Sequence, residues 1–355
     1  MKRKILIFLM IFCLTIPLLS ACGMGRGSAD VHVFYYTYSD AYVSTVRSAL
    51  DKKLHQAGIS YQDYDSNNSQ TTQTEQVQTA ITKGAKLLLV NVVTTGSDDA
   101  AMGIVNLAKN AGIPVIFFNR EVSDAVVKSY EKCMFVGTDA TEAGKLQGDM
   151  IGDYLLKNYE KTDLNKDGVI SYLLFMGEKG NSEAIYRTRY SVENANAKLQ
   201  QGGKPPLKFY DPSNGDGYIA DREGKWSAQA ANEAMTTALA GYSTANGNMI
   251  ELIICNNDNM AEGAITALQG AGFNNGTGTT IPVFGVDAID AAKELIRTGK
   301  MAGTVTQDGN AMADCLLRGV QNAQNGEALT ANMGDYTVDE GVAKVRIHYG
   351  VYTGE

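Results

Sequence analysis

From Val31 onward the chain alternates short apolar runs with longer amphipathic stretches, and no other feature narrows its fold so much. Strand-like runs fall at 31–37, 60–64, 86–93, 114–119, 133–137, 169–176, 207–210, 250–256, 281–286, 302–306 and 344–352. Helical periodicity fills most of the gaps, at about 43–57, 70–84, 98–111, 141–159, 182–201, 226–242, 259–272, 288–299 and 310–325. Alternation at this spacing predicts parallel sheets with helices on both faces. Roughly ten strands exceed one comfortable open sheet and fit two of five or six. The fold class is therefore α/β with two domains, and 355 residues at 44% hydrophobic content are enough to give each a core.

Before Val31 the pattern is different. Lys2, Arg3 and Lys4 precede an apolar stretch from Ile5 to about Leu19, followed by Leu19-Ser20-Ala21-Cys22. That is a signal peptide over residues 1–21, short for a spanning helix and ending in small residues. Leu-Ser-Ala-Cys resembles the bacterial lipobox, which implies cleavage before Cys22, a lipid on its thiol and an extracytoplasmic protein held to the membrane by that lipid alone. Residues 22–30 then form a short tether. The net charge of −8 becomes more negative once the leader is removed, which disfavours a nucleic-acid partner. Cys133, Cys255 and Cys315 each sit in an apolar run and read as buried, inert thiols.

Ligands of open parallel sheets bind beyond the carboxyl ends of the strands. The residues found there are Asp40 and Tyr42, Asn119 and Arg120, Asn181, Glu183 and Arg187, Asn257 and Asp258, Asp287, and Gln307 and Asp308. Nearly all are carboxylates, amides or guanidinium groups. Such a set suits an uncharged polyhydroxylated ligand, because each hydroxyl both donates and accepts. Trp226, the sole tryptophan, stands at a helix start, where its face is able to stack on the C–H patch of a pyranose; an ordinary core aromatic is the alternative.

A second motif is Asp163-Leu-Asn-Lys-Asp-Gly168-Val-Ile-Ser171, with oxygen-bearing side chains at every second position and a glycine at the sharp turn. This is the front half of an EF-hand calcium loop. Its twelfth position is Leu174, inside a strand, so the bidentate carboxylate has to come from elsewhere. Glu251, at the start of another strand, is the candidate. The expected ligands of a structural calcium ion are thus Asp163, Asn165, Asp167, the carbonyl of Val169, Ser171 and Glu251; a merely polar turn is the alternative.

Taken in order, Tyr36-Thr-Tyr-Ser-Asp40-Ala-Tyr42, Ile113-Pro-Val-Ile-Phe-Phe-Asn119-Arg-Glu121, Phe135-Val-Gly-Thr-Asp139, the loop at 163–168, Asn256-Asn257-Asp258, Ile281-Pro-Val-Phe-Gly-Val-Asp287 and Ala302-Gly-Thr-Val305 resemble the bacterial galactose/glucose-binding proteins over essentially the whole mature chain. The resemblance implies two Rossmann-like lobes joined by three hinge strands, closing on one monosaccharide that passes to an ABC importer permease, with a chemoreceptor as a further partner. It places 31–138 and 307–343 in the first lobe, and 139–306 and 344–355 in the second. Carried over by motif, the ligand shell is Asp40, Tyr42, Asn119, Asn181, Glu183, Arg187, Trp226, Asn257, Asp287 and Gln307. Tyr42 and Trp226 would sandwich the ring, Asp40 would accept from the hydroxyl farthest from the anomeric carbon, and Arg187 would take the ring oxygen. The family pattern has phenylalanine, histidine, aspartate and asparagine where Tyr42, Asn181, Glu183 and Gln307 stand, which leaves the sugar and its anomer open.

Three rivals bear weighing. A glycosidase would use a carboxylate pair, but no nucleophile elbow, phosphate loop or histidine-based triad accompanies these carboxylates, and a guanidinium and amides beside them should keep their pKa values low. A repressor-type regulator needs a helix-turn-helix before residue 31, where the leader stands. Within binding proteins, a pentose, inositol or furanose ligand, or a sensory role beside a membrane kinase, remains as the alternative.

Overall fold

The computed structural model describes residues 29–354; the leader and Cys22 lie outside them. Strands β1 (Val31–Tyr35), β2 (Tyr61–Asp65), β3 (Leu87–Val90), β4 (Val115–Phe118) and β5 (Cys133–Gly137) alternate with helices α1 (Ala41–Gln56), α2 (Gln70–Thr82), α3 (Asp99–Ala111) and α4 (Asp124–Lys128). After α5 (Ala140–Thr162) come β6 (Ser171–Met176), α6 (Ser182–Gln201), β7 (Lys208–Phe209), β8 (Ile219–Ala220), α7 (Ala228–Gly241), β9 (Leu252–Cys255), α8 (Asp258–Gly270), β10 (Val283–Asp287), α9 (Asp290–Arg297) and β11 (Gly303–Thr306). The chain ends with α10 (Gly309–Asn325), β12 (Thr337–Val338), β13 (Lys344–Arg346) and β14 (Gly350–Tyr352).

The strands make two sheets, ordered β12-β13-β5-β4-β3-β1-β2 and β14-β11-β10-β9-β6-β7, with β8 also pairing β6. All pairings are parallel except β12 with β13 and β11 with β14, at the sheet margins. Central strands such as Leu-Leu-Leu-Val in β3 and Leu-Ile-Ile-Cys in β9 are buried on both faces, as a helix-covered parallel sheet requires. Edge strand β2, Tyr-Gln-Asp-Tyr-Asp, keeps polar residues because one flank meets water. In the first lobe α1 and α10 cover one face, and α2, α3 and α4 the other. The second lobe has α5 and α6 on one face and α7, α8 and α9 opposite.

The chain passes between the sheets at Thr138, between β11 and α10, and between β13 and β14. Two expectations need correction here. The run 344–352 is not one strand: Lys344–Arg346 pairs with β5 in the first sheet, and Gly350–Tyr352 pairs with β11 in the second. The boundary drawn before 344 therefore moves to 347–349, because Ile347, His348 and Tyr349 are the crossing itself. The sheets also hold more strands than five or six, since the short β8 and β12 carry too few residues to show a period. Cys133, Cys255 and Cys315 are free and buried, as expected.

Candidate functional site

Helix capping explains why so many polar residues stand at these strand ends. The Asp40 side chain accepts from Val43 N (2.8 Å), that of Asn181 from Ala184 N (3.1 Å) and that of Asn257 from Met260 N (3.0 Å), so each caps a helix. One polar atom of each is thus committed to the fold. The other turns to neighbours around a common space: Asp40 Oδ2 accepts from Tyr36 Oη at 2.6 Å, Asn181 Nδ2 donates to Thr95 Oγ1 of the opposite lobe at 3.1 Å, and Asn257 Nδ2 donates to the Trp226 carbonyl.

The space is a cavity between the lobes, and all ten residues expected to bind ligand line it: Asp40, Tyr42, Asn119, Asn181, Glu183, Arg187, Trp226, Asn257, Asp287 and Gln307. Tyr36, Val43 and Arg120 line it too. Arg120 was legible at its strand end but had no place in the expected ligand shell. Tyr36 belongs to the Tyr36–Tyr42 motif just after β1, and nothing in its spacing marked it as lining the cavity. The cavity is closed over, for Tyr42 and Trp226 are only 5% and 7% exposed. An ion pair between Arg120 of the first lobe and Glu178 of the second, at 2.5 Å, spans the cleft directly.

Backbone strain gathers at this cavity. Asn119, Trp226 and Asp287 have φ of 62°, 56° and 120°, values that favour glycine and that the surrounding structure must enforce. Trp226 is pinned from behind, since a Cβ on Gly177 would lie 2.1 Å from its ring carbons. Only glycine lets the chain just past β6 run this close to the indole.

Arg187 is the electrostatic centre. Its Nη1 donates to the Asn256 carbonyl (2.9 Å) and lies 3.9 Å from Asp287; its Nη2 reaches Glu183 Oε2 (3.1 Å), Gln307 Oε1 (3.2 Å) and Tyr349 Oη (2.8 Å). Burial opposes its charge, and Tyr349, Glu183 and Asp287 more than compensate, so its pKa rises. Burial also pushes the Glu183 and Asp287 carboxyls above their ordinary range, outweighing Arg187. The expectation that the guanidinium would hold these carboxylates low is thus corrected: desolvation wins in a closed cleft. Three buried polar atoms on cavity residues have no protein partner: Glu183 Oε1, Arg187 Nε and Arg120 Nε.

The acidic loop lies at the far end of the second sheet. Ser171 opens β6, whereas Asn181 follows its other end, about 20 Å away at 3.3 Å per residue. Glu251 stands beside the loop, fully buried, its Oε1 accepting from Asn165 N (2.8 Å) and its Oε2 from Ser171 N (2.9 Å) and Oγ (3.1 Å). Asp163 accepts from Asp167 N and Gly168 N, and Asp167 from Val169 N. Gly168 takes the left-handed turn at φ 80°. The backbone therefore has the curvature of a cation loop. The Asn165 amide is instead paired with Met249, accepting from its N–H (2.7 Å) and donating to its carbonyl (2.9 Å). Among the described residues the carboxylates do not converge into a three-ligand cluster.

A family model described as "Periplasmic binding protein domain" matches residues 31–328. The D-galactose/methyl-galactoside binding periplasmic protein MglB of Haemophilus influenzae is 35% identical over 87% of this chain and 88% of its own. Among solved structures, an ABC transporter solute-binding protein from Clostridium phytofermentans with bound β-D-glucose aligns with a TM-score of 0.71 at 22% identity, over 91% of this chain and 94% of that one. Another from Bacillus halodurans, with bound myo-inositol, aligns with a TM-score of 0.68 at 24% identity, over 92% and 95%.

Proposed function

The chain belongs to the periplasmic binding proteins, and from that premise we propose that it captures a neutral hexose of the galactose/glucose type between its lobes. Membership makes it an extracytoplasmic sugar-binding protein of the ABC importer type and not an enzyme. The observation that carries the hexose reading is the cavity itself. Carboxylates, amides and guanidinium groups line it from both lobes, and Glu183 Oε1, Arg187 Nε and Arg120 Nε remain without partners. A hydroxyl satisfies either kind of orphan, a donor or an acceptor. Acids and bases are nearly balanced around the cavity, so a phosphorylated sugar would meet Asp40, Glu183 and Asp287 with too few cations to offset them.

In this reading Tyr42 and Trp226 hold the ring faces, Asp40 and Asn119 the distal hydroxyls, and Asn181, Glu183, Arg187, Asn257, Asp287 and Gln307 the anomeric side. A cyclitol or pentose is the second reading. The cyclitol, which has no ring oxygen to be held, is favoured by Arg187, whose Nη atoms are already bonded to the protein. The loop at 163–171 with Glu251 is proposed as a structural calcium site remote from the sugar, supported by its spacing and its turn at Gly168. A lipid on Cys22 would keep the protein at the membrane within reach of the permease, and a chemoreceptor or sensor kinase is a further proposed reader of the closed form. Calorimetry against D-galactose, D-glucose, D-xylose and myo-inositol tests the ligand. Micromolar or tighter binding of a hexose is expected, and silence towards both hexoses removes that assignment.

A further inference from the structure

Tyr349 does not line the cavity, yet it touches the pair at its centre. The three interlobe crossings each contribute one buried polar side chain to a single network: Thr138 from the first, Gln307 from the second and Tyr349 from the third. Gln307 Nε2 lies 3.4 Å from Thr138 Oγ1, which lies 2.8 Å from Tyr349 Oη, which in turn lies 3.2 Å from Glu183 Oε2. A phenol has one hydrogen to donate, and here it has a carboxylate to receive it. The proton directions are then fixed: the Gln307 amide donates to Thr138, Thr138 to Tyr349 and Tyr349 to Glu183, while Arg187 Nη2 donates to both Tyr349 (2.8 Å) and Gln307 (3.2 Å). Such a one-way chain strengthens each of its bonds. It satisfies Glu183 Oε2 and leaves Oε1, on a residue lining the cavity, for a ligand.

We propose that Tyr349 is the positioning residue that ties the Glu183–Arg187 pair to all three crossings, so that a hydroxyl bound at that pair is sensed by the hinge through the Tyr349 hydroxyl. The inference rests on the sugar-binding reading for its ligand, but its structural half concerns the lobes alone. A ligand that draws Glu183 or Arg187 towards itself alters the bonds each gives Tyr349 and Gln307. Those bonds hold the crossing segments whose backbone must turn when the lobes move. The lobe equilibrium and sugar affinity therefore share one hydroxyl.

The test is Tyr349→Phe, which keeps the ring in the second-lobe core and removes only the hydroxyl. With D-galactose and D-glucose as probes, affinity should fall about tenfold, the loss expected for one hydrogen bond to a charged group. The same substitution made on Glu183→Gln should cost less than it does on wild type, because the receiving carboxylate is already gone. In sugar-free protein, spin labels placed one on each lobe should give a broader distance distribution for Tyr349→Phe than for wild type. Thr138→Val breaks the chain one link earlier and should act in the same direction, which covers a Tyr349→Phe protein that does not fold. Additive losses, or unchanged affinity with unchanged distances, overturn the proposal. If wild type binds neither hexose, the ligand reading fails and the sugar-free distances decide for Tyr349: broadening supports the tie and an unchanged distribution overturns it.

Discussion

Gly177 and Trp226 together set the stacking surface of the cavity. Because a methyl at 177 would meet the indole ring carbons, Gly177→Ala should push the ring into the cavity. We expect it to weaken hexose binding as Trp226→Ala does, by about 1–3 kcal/mol, the cost of losing a large aromatic anchor; calorimetry on both variants checks this, and retained affinity in Trp226→Ala would return the indole to a purely structural role. A different residue governs acid–base behaviour. Asp63, on β2, has its carboxyl raised to about 8, by burial first and by the neighbouring Asp51 charge second. The folded state therefore prefers the protonated form, so the stability this group contributes is full below about pH 4 and is lost as pH rises towards 8. Asp63→Asn should flatten that decline: its melting temperature should exceed that of wild type at pH 8, with a smaller gain at pH 5. Sugar affinity should not change, since Asp63 is no part of the cavity lining.

Elements built from many buried residues were readable in the sequence, and those built from few were not. β3, β4, β9 and β10 announce themselves as apolar runs, and the amphipathic helices between them by their period. β8 and β12 have two residues each and α4 has five, too short for any periodicity, whereas the equally short β7 falls inside the strand-like run at 207–210. The last crossing was missed for another reason: Ile347, His348 and Tyr349 keep the strand-like character of their flanks, so nothing local marks where one sheet ends and the other begins. Most candidate site residues were legible because they follow strand ends, where Asp40, Asn181 and Asn257 also cap helices, whereas Tyr349 acts from within a run read as a strand. The acidic loop shows the same division. Its spacing and turn are local and were legible, but the pairing of the Asn165 amide with Met249 is a tertiary contact. If a calcium ion binds only the folded second lobe, it stabilises by linkage. EDTA should then lower the melting temperature of that lobe with hexose affinity nearly unchanged, and Glu251→Gln should mimic it. A melting curve indifferent to both EDTA and added calcium would mean that hydrogen bonds alone hold the loop.

At the scale of the whole molecule, a ligand held from both sides must favour the closed arrangement of the lobes. Small-angle scattering should record a smaller radius of gyration with saturating hexose than without, and an identical value in both would mean a rigid cleft. Arg120 and Glu178 contribute to closure independently of ligand, since they join the lobes directly. Arg120→Met should thus shift sugar-free protein towards the open form and speed release more than it slows capture. Removing one partner of a largely buried ion pair leaves the other unpaired, so the loss should exceed that of a surface pair. The interleaving of the lobes along the chain carries a further consequence, for biogenesis. The second lobe is nearly one continuous insert, from α5 to β11, lacking only the edge strand β14. The first lobe is not, because its core includes Met312, Leu316, Val320 and Val345, which emerge after the whole of the other lobe. As the polypeptide leaves the ribosome, or enters the extracytoplasmic space from its amino end, β1 to β5 have to wait with one face covered by α1 alone until α10 arrives. The lobe that starts first is thus completed last, and its half-covered apolar sheet is a surface for a chaperone to shield until then.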